Sequence, residues 1–368
     1  MTCSRPLAPL LVVLSLGFGS CQSHDPHLVP FSASDPERQG KLLEIGQELD
    51  LVEVELEQGS IEHALELVQD IRDSGIFDAE IRHRTELLLE VCATRRLDEL
   101  IANKGSVHEF EDLFEDDVPK NVRVSAGIAG ARRQLEENEP IEAYSLIRRI
   151  DGEFSSHHER AAAGDILAQA GFALSVSTRY RLWLFSYRAR APEVLEYLVL
   201  NYPSNFNGER AYMILAELYE EDDELEFALE RYEDLLLYYR TSQFVPQAEA
   251  KVPALRLQLI KGPNYDRSEI LSAKRELLDW LARHPGHQLE SQVLDSLQEC
   301  YALEIDSDLF VAKFYRRVDK MIGARMHADR ALAVAVEVGD LARADHAREI
   351  LENVAPVEAS TEDTQGNS

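Results

Sequence analysis

The stretch Glu209–Ser242 (ERAYMILAELYEEDDELEFALERYEDLLLYYRTS) sets the strongest limit on what this chain can fold into. Tyr212, Leu215, Ala216 and Tyr219 recur at i, i+3, i+4 and i+7, the apolar stripe of an amphipathic helix. The acidic run Glu221-Asp222-Asp223-Glu224 interrupts the stripe, and Ala228, Tyr232 and Leu235 resume it. Two helices joined by so short a turn must run antiparallel. Ala216 and Ala228 are small where their backbones cross, and Tyr219 and Tyr232 fill the groove beside them. A pair of this kind cannot bury its own apolar face, so further pairs must stack on it.

The order of residues resembles the tetratricopeptide repeat, with an aromatic, Leu-Ala and Tyr in the first helix and Ala, Tyr and Leu in the second. The expected fold is therefore all-α, a tetratricopeptide-like solenoid of helical hairpins, an α-α superhelix. Other stretches repeat the pattern. Lys41–Glu57 and Ile61–Ser74 form a hairpin around Gln58-Gly59-Ser60, and Val122–Leu135 pairs with Glu139–Asp151. Ile81–Arg95 and Leu97–Asn103 read as two shorter helices, and His157–Ser175 as another. Phe244–Ile260 and Glu269–Arg283 form a further pair, in which Ala273, Leu277 and Trp280 precede the stop at Pro285. Gln288–Leu303 and Asp308–Val318 continue the array, and Asp340–Val354 closes it. Ala312 and Tyr315 followed by Ala324 reproduce the central motif, and Ala312 precedes Ala324 by the same twelve residues that separate Ala216 from Ala228.

The ends are different. An apolar run, Leu7 to Phe18, follows Arg5 and leads to Gly19-Ser20-Cys21. Residues 1–20 read as a secretory signal peptide, too short in its apolar part to span a bilayer. A cysteine after two small residues resembles a bacterial lipoprotein cleavage site, with Cys21 as the lipidated N-terminus, although Phe18 stands where Leu is usual. The alternative is an ordinary signal peptide cut near Gly19 or Ser20. Gln22 after the cysteine favours the outer membrane, by resemblance to enterobacterial sorting. Residues 21–37 read as a flexible tether and residues 355–368 as a polar, disordered tail. Between them the array divides into an N-terminal repeat-like region, 38–178, and a second region, 179–354.

Loss of residues 1–20 removes only Arg5 among the charges and leaves 37 basic residues against 67 acidic. Such a surface repels nucleic acid and anionic lipid. Cys92 and Cys300 lie in helical patterns without metal-ligand spacing and read as small buried hydrophobes. His157-His158 lacks a third ligand and reads as a surface pair. His108–Pro119 (HEFEDLFEDDVP) lacks the central Gly and terminal Glu of a calcium loop and reads as a solvated linker. No nucleophile elbow, zinc motif, phosphate loop or paired-carboxylate motif is present, so no enzyme and no cofactor is expected.

Two basic stretches stand out against this charge. Thr178–Ala191 (TRYRLWLFSYRARA) reads as a helix with Tyr180, Trp183, Leu184 and Tyr187 on one face. Arg179, Arg181, Arg188 and Arg190 are its charges, either snorkelling from a core or docking an acidic segment. Lys313, Arg316, Arg317 and Lys320 form the second run. Leu309, Lys313 and Arg316, with Met213, Glu217 and Glu220 in the central hairpin, are expected to face an open groove. The cations there either contact a partner or balance neighbouring acids.

Residues from about Pro192 to Leu332 resemble the BamD-type outer-membrane assembly lipoproteins. EVLEYLVLNYPSNFNGERAYMILAELY, GPNYDRSEILSAKRELLDWLARHP and DLFVAKFYRRVDKMIGARMHADRAL carry the likeness. The third is the most specific, with Val-Ala-x-Phe-Tyr-x-Arg followed by the small pair Gly323-Ala324. Asp319 replaces the family's usual Gly, His327 its usual Arg, and Arg38 to Ser175 has no evident counterpart. The resemblance implies a lipid-anchored, periplasm-facing scaffold that binds the periplasmic domains of the BamA-type barrel insertase and unfolded outer-membrane protein clients, without bond chemistry. Alternatives are a repeat lipoprotein serving a secretin or peptidoglycan machine, or the helical part of a cell-wall lytic enzyme.

Overall fold

The computed structural model describes residues 36–75, 78–181, 185–260, 262 and 267–354, with only the backbone at Arg181 and Phe185. The expected signal peptide, Cys21, most of the tether, Trp183, Leu184 and the tail lie outside the described residues. Fifteen α-helices occur among the described residues, and the fold is all-α apart from one short strand pair. The chain divides into two compact units, one running to Cys92 and one from Ala93 onward.

In the first unit α1 (Pro36–Gln58) packs on α2 (Ile61–Asp73), burying Leu49, Val52 and Leu56 of one and Ala64, Leu65, Val68 and Ile71 of the other. Helix α3 (Ala79–Asn103) begins in this unit, where Arg84 donates to Asp50 and Glu53 of α1. The two helices expected here are one, because Ala93 to Leu97 contains only helix-tolerant residues and no Gly or Pro. The division between the units falls inside α3.

The second unit continues with α4 (Val107–Glu115), α5 (Lys120–Glu136), α6 (Pro140–Glu153) and α7 (Arg160–Ser175), then α8 (Ala191–Asn201), α9 (Gly208–Glu221), α10 (Leu225–Tyr238) and α11 (Val245–Gln258). It closes with α12 (Arg267–Arg283), α13 (Glu290–Arg317), α14 (Met321–Val338) and α15 (Leu341–Glu352). From α4 on, each helix packs against the next, and α5 on α7, α7 on α9, α11 on α13 and α13 on α15. Contact with the next helix and the next but one is how stacked hairpins share a core.

A single turn closes five hairpins. Gly59, Asn138, Asp223, Asp319 and Gly339 adopt φ of 84°, 61°, 60°, 57° and 74°. In each, the N–H of the following residue bonds a carbonyl of the previous helix five positions back: Ser60 to Glu55, Glu139 to Gln134, Glu224 to Tyr219, Lys320 to Tyr315 and Asp340 to Ala335. This is the Schellman closure, which satisfies carbonyls that a helix end leaves open. Five residues beyond each turn residue stands a fully buried alanine: Ala64, Ala143, Ala228, Ala324 and Ala344. Val52, Ala131, Ala216 and Ala312, also fully buried, sit opposite the first four. At Asp319 a non-glycine residue holds a left-handed conformation that glycine would adopt without steric cost.

A second recurring turn joins one hairpin to the next. The N–H groups of Phe154, Tyr202, Tyr239 and His284 close helices α6, α8, α10 and α12. Three residues past the last three caps, Asn205, Ser242 and His287 each accept, through a side-chain atom, the N–H two positions on. His157 occupies the same slot and corrects the surface reading, since its side chain is fully enclosed with Nε2 3.2 Å from Asp151 Oδ1. Tyr197 and Tyr202 donate to the same carboxylate at 2.8 and 2.6 Å, which ties α8 to the end of α6.

Three further expectations are corrected. His108–Glu115 is not a solvated linker but part of helix α4, started by a capping box between Ser106 and Glu109. Phe110, Leu113 and Phe114 are buried at i, i+3 and i+4, a stripe masked by the acids around it. The described residues between Thr178 and Arg190 do not form one α-helix. Tyr180–Arg181 and Phe185–Ser186 pair antiparallel as β1 and β2, and a 3-10 turn covers Arg188–Arg190. Finally, Gln288–Leu303 and Asp308–Val318 are one helix, α13, because the polar residues between them are neutralised inside the fold. Glu304 and Asp308 are buried, Lys274 Nζ and Arg267 Nη2 lie 2.5 and 2.6 Å from Glu304, and His327 Nδ1 lies 2.7 Å from Asp308.

Candidate protein-docking surface

Helix α13 carries two opposed faces. Ile305, Leu309 and Ala312 enter a core with Ala324, Ala328, Ala331 and Ala335 of α14 and Ala344, Ala347 and Ile350 of α15. So many alanines let the three helices approach closely. Tyr315 lies over Gly323, where an added Cβ would stand 2.9 Å from the ring, and stacks on His327 with centroids 5.7 Å apart. The small residue at 323 is thus a packing requirement. Leu309 and Met213 were expected in an open groove, but both are 3% exposed, because each falls within its helix's buried arc.

On the other side of α13, Phe310, Lys313, Phe314 and Arg317 fall at i, i+3, i+4 and i+7, hence on one stripe. Phe310 and Phe314 are 44% and 51% exposed, a contiguous aromatic pair left to solvent. Arg316, Arg317 and Lys320 are exposed and Lys313 is half-buried. Among the described residues none of these four cations has an ion pair. Arg316 and Arg317 lie in the last turn of the helix, where the macrodipole favours positive charge.

The arginines before α8 are held differently. Arg179 donates to Glu139 Oε1 at 2.9 Å and to the Asn138 carbonyl. Arg188 donates to the Ser175 carbonyl at 2.9 Å and to Glu221, and Arg190 to Glu193 at 2.9 Å. Tyr187 lies under the Arg179 guanidinium, 4.5 Å from ring centroid to carbon. A cleft of about 510 Å³ opens beside this hairpin, lined by Ser175, Thr178, Tyr180, Ser186, Arg188 and Leu218. Sequence inspection alone did not separate the two basic regions, because the acids that neutralise Arg179 and Arg188 lie tens of residues away.

The repeat-core positions are placed as follows. Ala216, Ala228, Tyr232, Leu215, Ala312, Ala324 and Trp280 are fully buried, Ala273 and Tyr212 nearly so, and Tyr219 and Tyr315 half-buried. Burial, with Glu196 as hydrogen-bond acceptor, pushes the Tyr219 hydroxyl up to about 12, and burial does the same to the Cys300 thiol. Trp280 donates Nε1–H to the Pro246 carbonyl at 2.7 Å, which satisfies its one polar atom. Among the described residues no group of three or more His, Cys, Asp or Glu is placed to hold a metal ion, and no helix is long and apolar enough to cross a membrane.

The arrangement is that of a helical-repeat protein whose conspicuous surface is a mixed aromatic and cationic helix face. No family model matches the chain, and no curated protein matches it. Among solved structures, one described as "Functional Characterization of Pseudomonas Aeruginosa pilF" is similar at 13% identity. The match covers 84% of this chain and 99% of that one, with a TM-score of 0.25. At that score the likeness carries no argument about function.

Proposed function

We propose that the chain is a non-catalytic scaffold of the bacterial cell envelope that binds partner proteins through the α13–α14 hairpin. In this reading Cys21 is lipidated and holds the protein on the outer membrane, facing the periplasm, where it serves the assembly of β-barrel proteins. What supports the reading is the state of Lys313, Arg316, Arg317 and Lys320, four cations without an ion pair among the described residues in a chain of net charge −29. They fall in the stretch that carries the BamD-type resemblance. Unpaired cations beside exposed aromatics suit an acidic face with apolar side chains, such as a periplasmic domain of a barrel insertase. Binding alone is the mechanism: charge steers the encounter and the phenylalanines hold it.

Reversing charge at Lys313 and Arg316, with Ala312 and Tyr315 intact, tests this. Pull-down from solubilised outer membrane should recover the insertase with the parent chain and lose it with the variant, at an unchanged melting temperature. High salt should weaken capture of the parent. Recovery of a secretin or of cell-wall strands instead would assign the scaffold to another machine, and equal capture at all salt concentrations would refute docking here. Cys21→Ala should move the protein to the soluble periplasmic fraction, since ~0.8 kcal/mol per buried CH₂ makes a three-chain anchor effectively permanent. A parent chain already soluble after lysis would refute the anchor.

A further inference from the structure

The first helix of the array bears a face complementary to the stripe on α13. In α1, Leu43, Leu51 and Val54 are 67%, 44% and 44% exposed. With Gln47 between them they follow i, i+4, i+8 and i+11, one stripe on the side opposite buried Leu49, Val52 and Leu56. Glu44 and Glu48 are exposed along one flank, with half-buried Glu55 beyond them. None of the three has an ion pair among the described residues. Several acids elsewhere are engaged within the chain: Glu230 with Arg231, Glu233 with Arg256 and Glu249 with Arg283. In a stack of hairpins a polar outer face is what ordinarily prevents association between copies. Here that face is apolar.

We propose that the α1 stripe of one copy docks on the α13 stripe of a second copy. The pairing follows from chemistry and pitch. Glu44 and Glu48 are one helical turn apart, as are Lys313 and Arg317, and so are Phe310 and Phe314. Both helices therefore repeat their charge every ~6 Å along the axis, the interval that also separates Phe310 from Phe314, so more than one contact can form in one register. The acids that would neutralise the free cations of α13 are thus supplied by the same polypeptide, and the exposed leucines would cover the exposed phenylalanines. Because the two faces differ, the contact is heterologous, and copies add head to tail or close into a ring. This inference shares the α13 stripe with the proposed docking function, so self-association and partner capture compete for it.

Sedimentation velocity of the purified chain, over a range of micromolar concentrations at low and high salt, reads the contact. The expected result is reversible, concentration-dependent association that high salt weakens. Glu44→Lys with Glu48→Lys should give a monomer, and so should Lys313→Glu with Arg317→Glu. Combining all four reversals should restore association, which a folding defect would not do. A monomer at every concentration, association untouched by either reversal, or failure of the fourfold variant to associate would each overturn the proposal. The α1 reversal leaves α13 intact and should leave partner capture unchanged or improved, so failure of self-association and failure of the docking function are told apart.

Discussion

The region before α8 and the end of α13 look alike in composition, with four basic residues each among aromatics, and behave as opposites. Arg179, Arg188 and Arg190 are each paired with a carboxylate, and two of them also bond backbone carbonyls. They tie the segment before α8 to the helices around it. Lys313, Arg316, Arg317 and Lys320 grow from a regular helix that needs no such bracing, and their charge remains available. The difference teaches that a basic cluster in an acidic chain says nothing by itself about binding. What matters is whether the fold has already spent the charge.

The largest effect expected lies inside α13 and sharpens the contrast between its buried and exposed charges. Glu304→Ala removes the carboxylate shared by Arg267 and Lys274, leaving partly buried Lys274 without its acid and Arg267 with only Asp308 at 3.4 Å, at a cost of about 3 kcal/mol. Thermal melting should fall markedly. A melting curve equal to that of the parent would mean the network is solvated. Next comes Ala228→Leu. The position is fully buried where two helices cross, so overpacking should cost ~1–3 kcal/mol and broaden or lower the melt of the whole array.

The third prediction compares the two basic regions directly. Arg188→Ala removes hydrogen bonds to Ser175 and Glu221, and because the guanidinium is partly exposed the cost should be about 1 kcal/mol. Arg316→Ala should stay within ~0.5 kcal/mol of the parent in chemical denaturation, since among the described residues it pairs with no acid. If Arg316→Ala proved the more destabilising, the division into braced and available charge would collapse. The smallest effect concerns a turn. Asp319 sits at φ 57°, so Asp319→Gly should relieve strain and raise stability by roughly 0.5 kcal/mol, part of the gain being lost to the freer unfolded chain. The same change at Glu137, outside the left-handed region, should destabilise.

Much of the architecture was legible in the residues. The twelve-residue spacing of Ala216 and Ala228, and of Ala312 and Ala324, marks hairpins because small residues at a crossing are a local requirement repeated in every pair. Helical periodicity placed α1, α2, α5, α6 and α9 to α12 for the same reason. Helix α4 escaped because acids around Phe110, Leu113 and Phe114 hid a short stripe. The strand pair at Tyr180–Ser186 escaped because alternation and helical spacing are hard to tell apart over so few residues. The continuity of α13 escaped because Glu304 and Asp308 look like a break until Arg267, Lys274 and His327 arrive from other helices.

The sequence by itself determined that this chain is an array of helical hairpins, since turn chemistry, alanine spacing and amphipathic period act within one or two helices. Only the tertiary structure decided which charges are free. Glu139 meets Arg179 and Glu221 meets Arg188 across 40 and 33 residues, whereas among the described residues no acid pairs with Lys313 or Arg317. Ion pairing depends on distance in space, and stacking hairpins bring distant residues together in ways that no local pattern encodes.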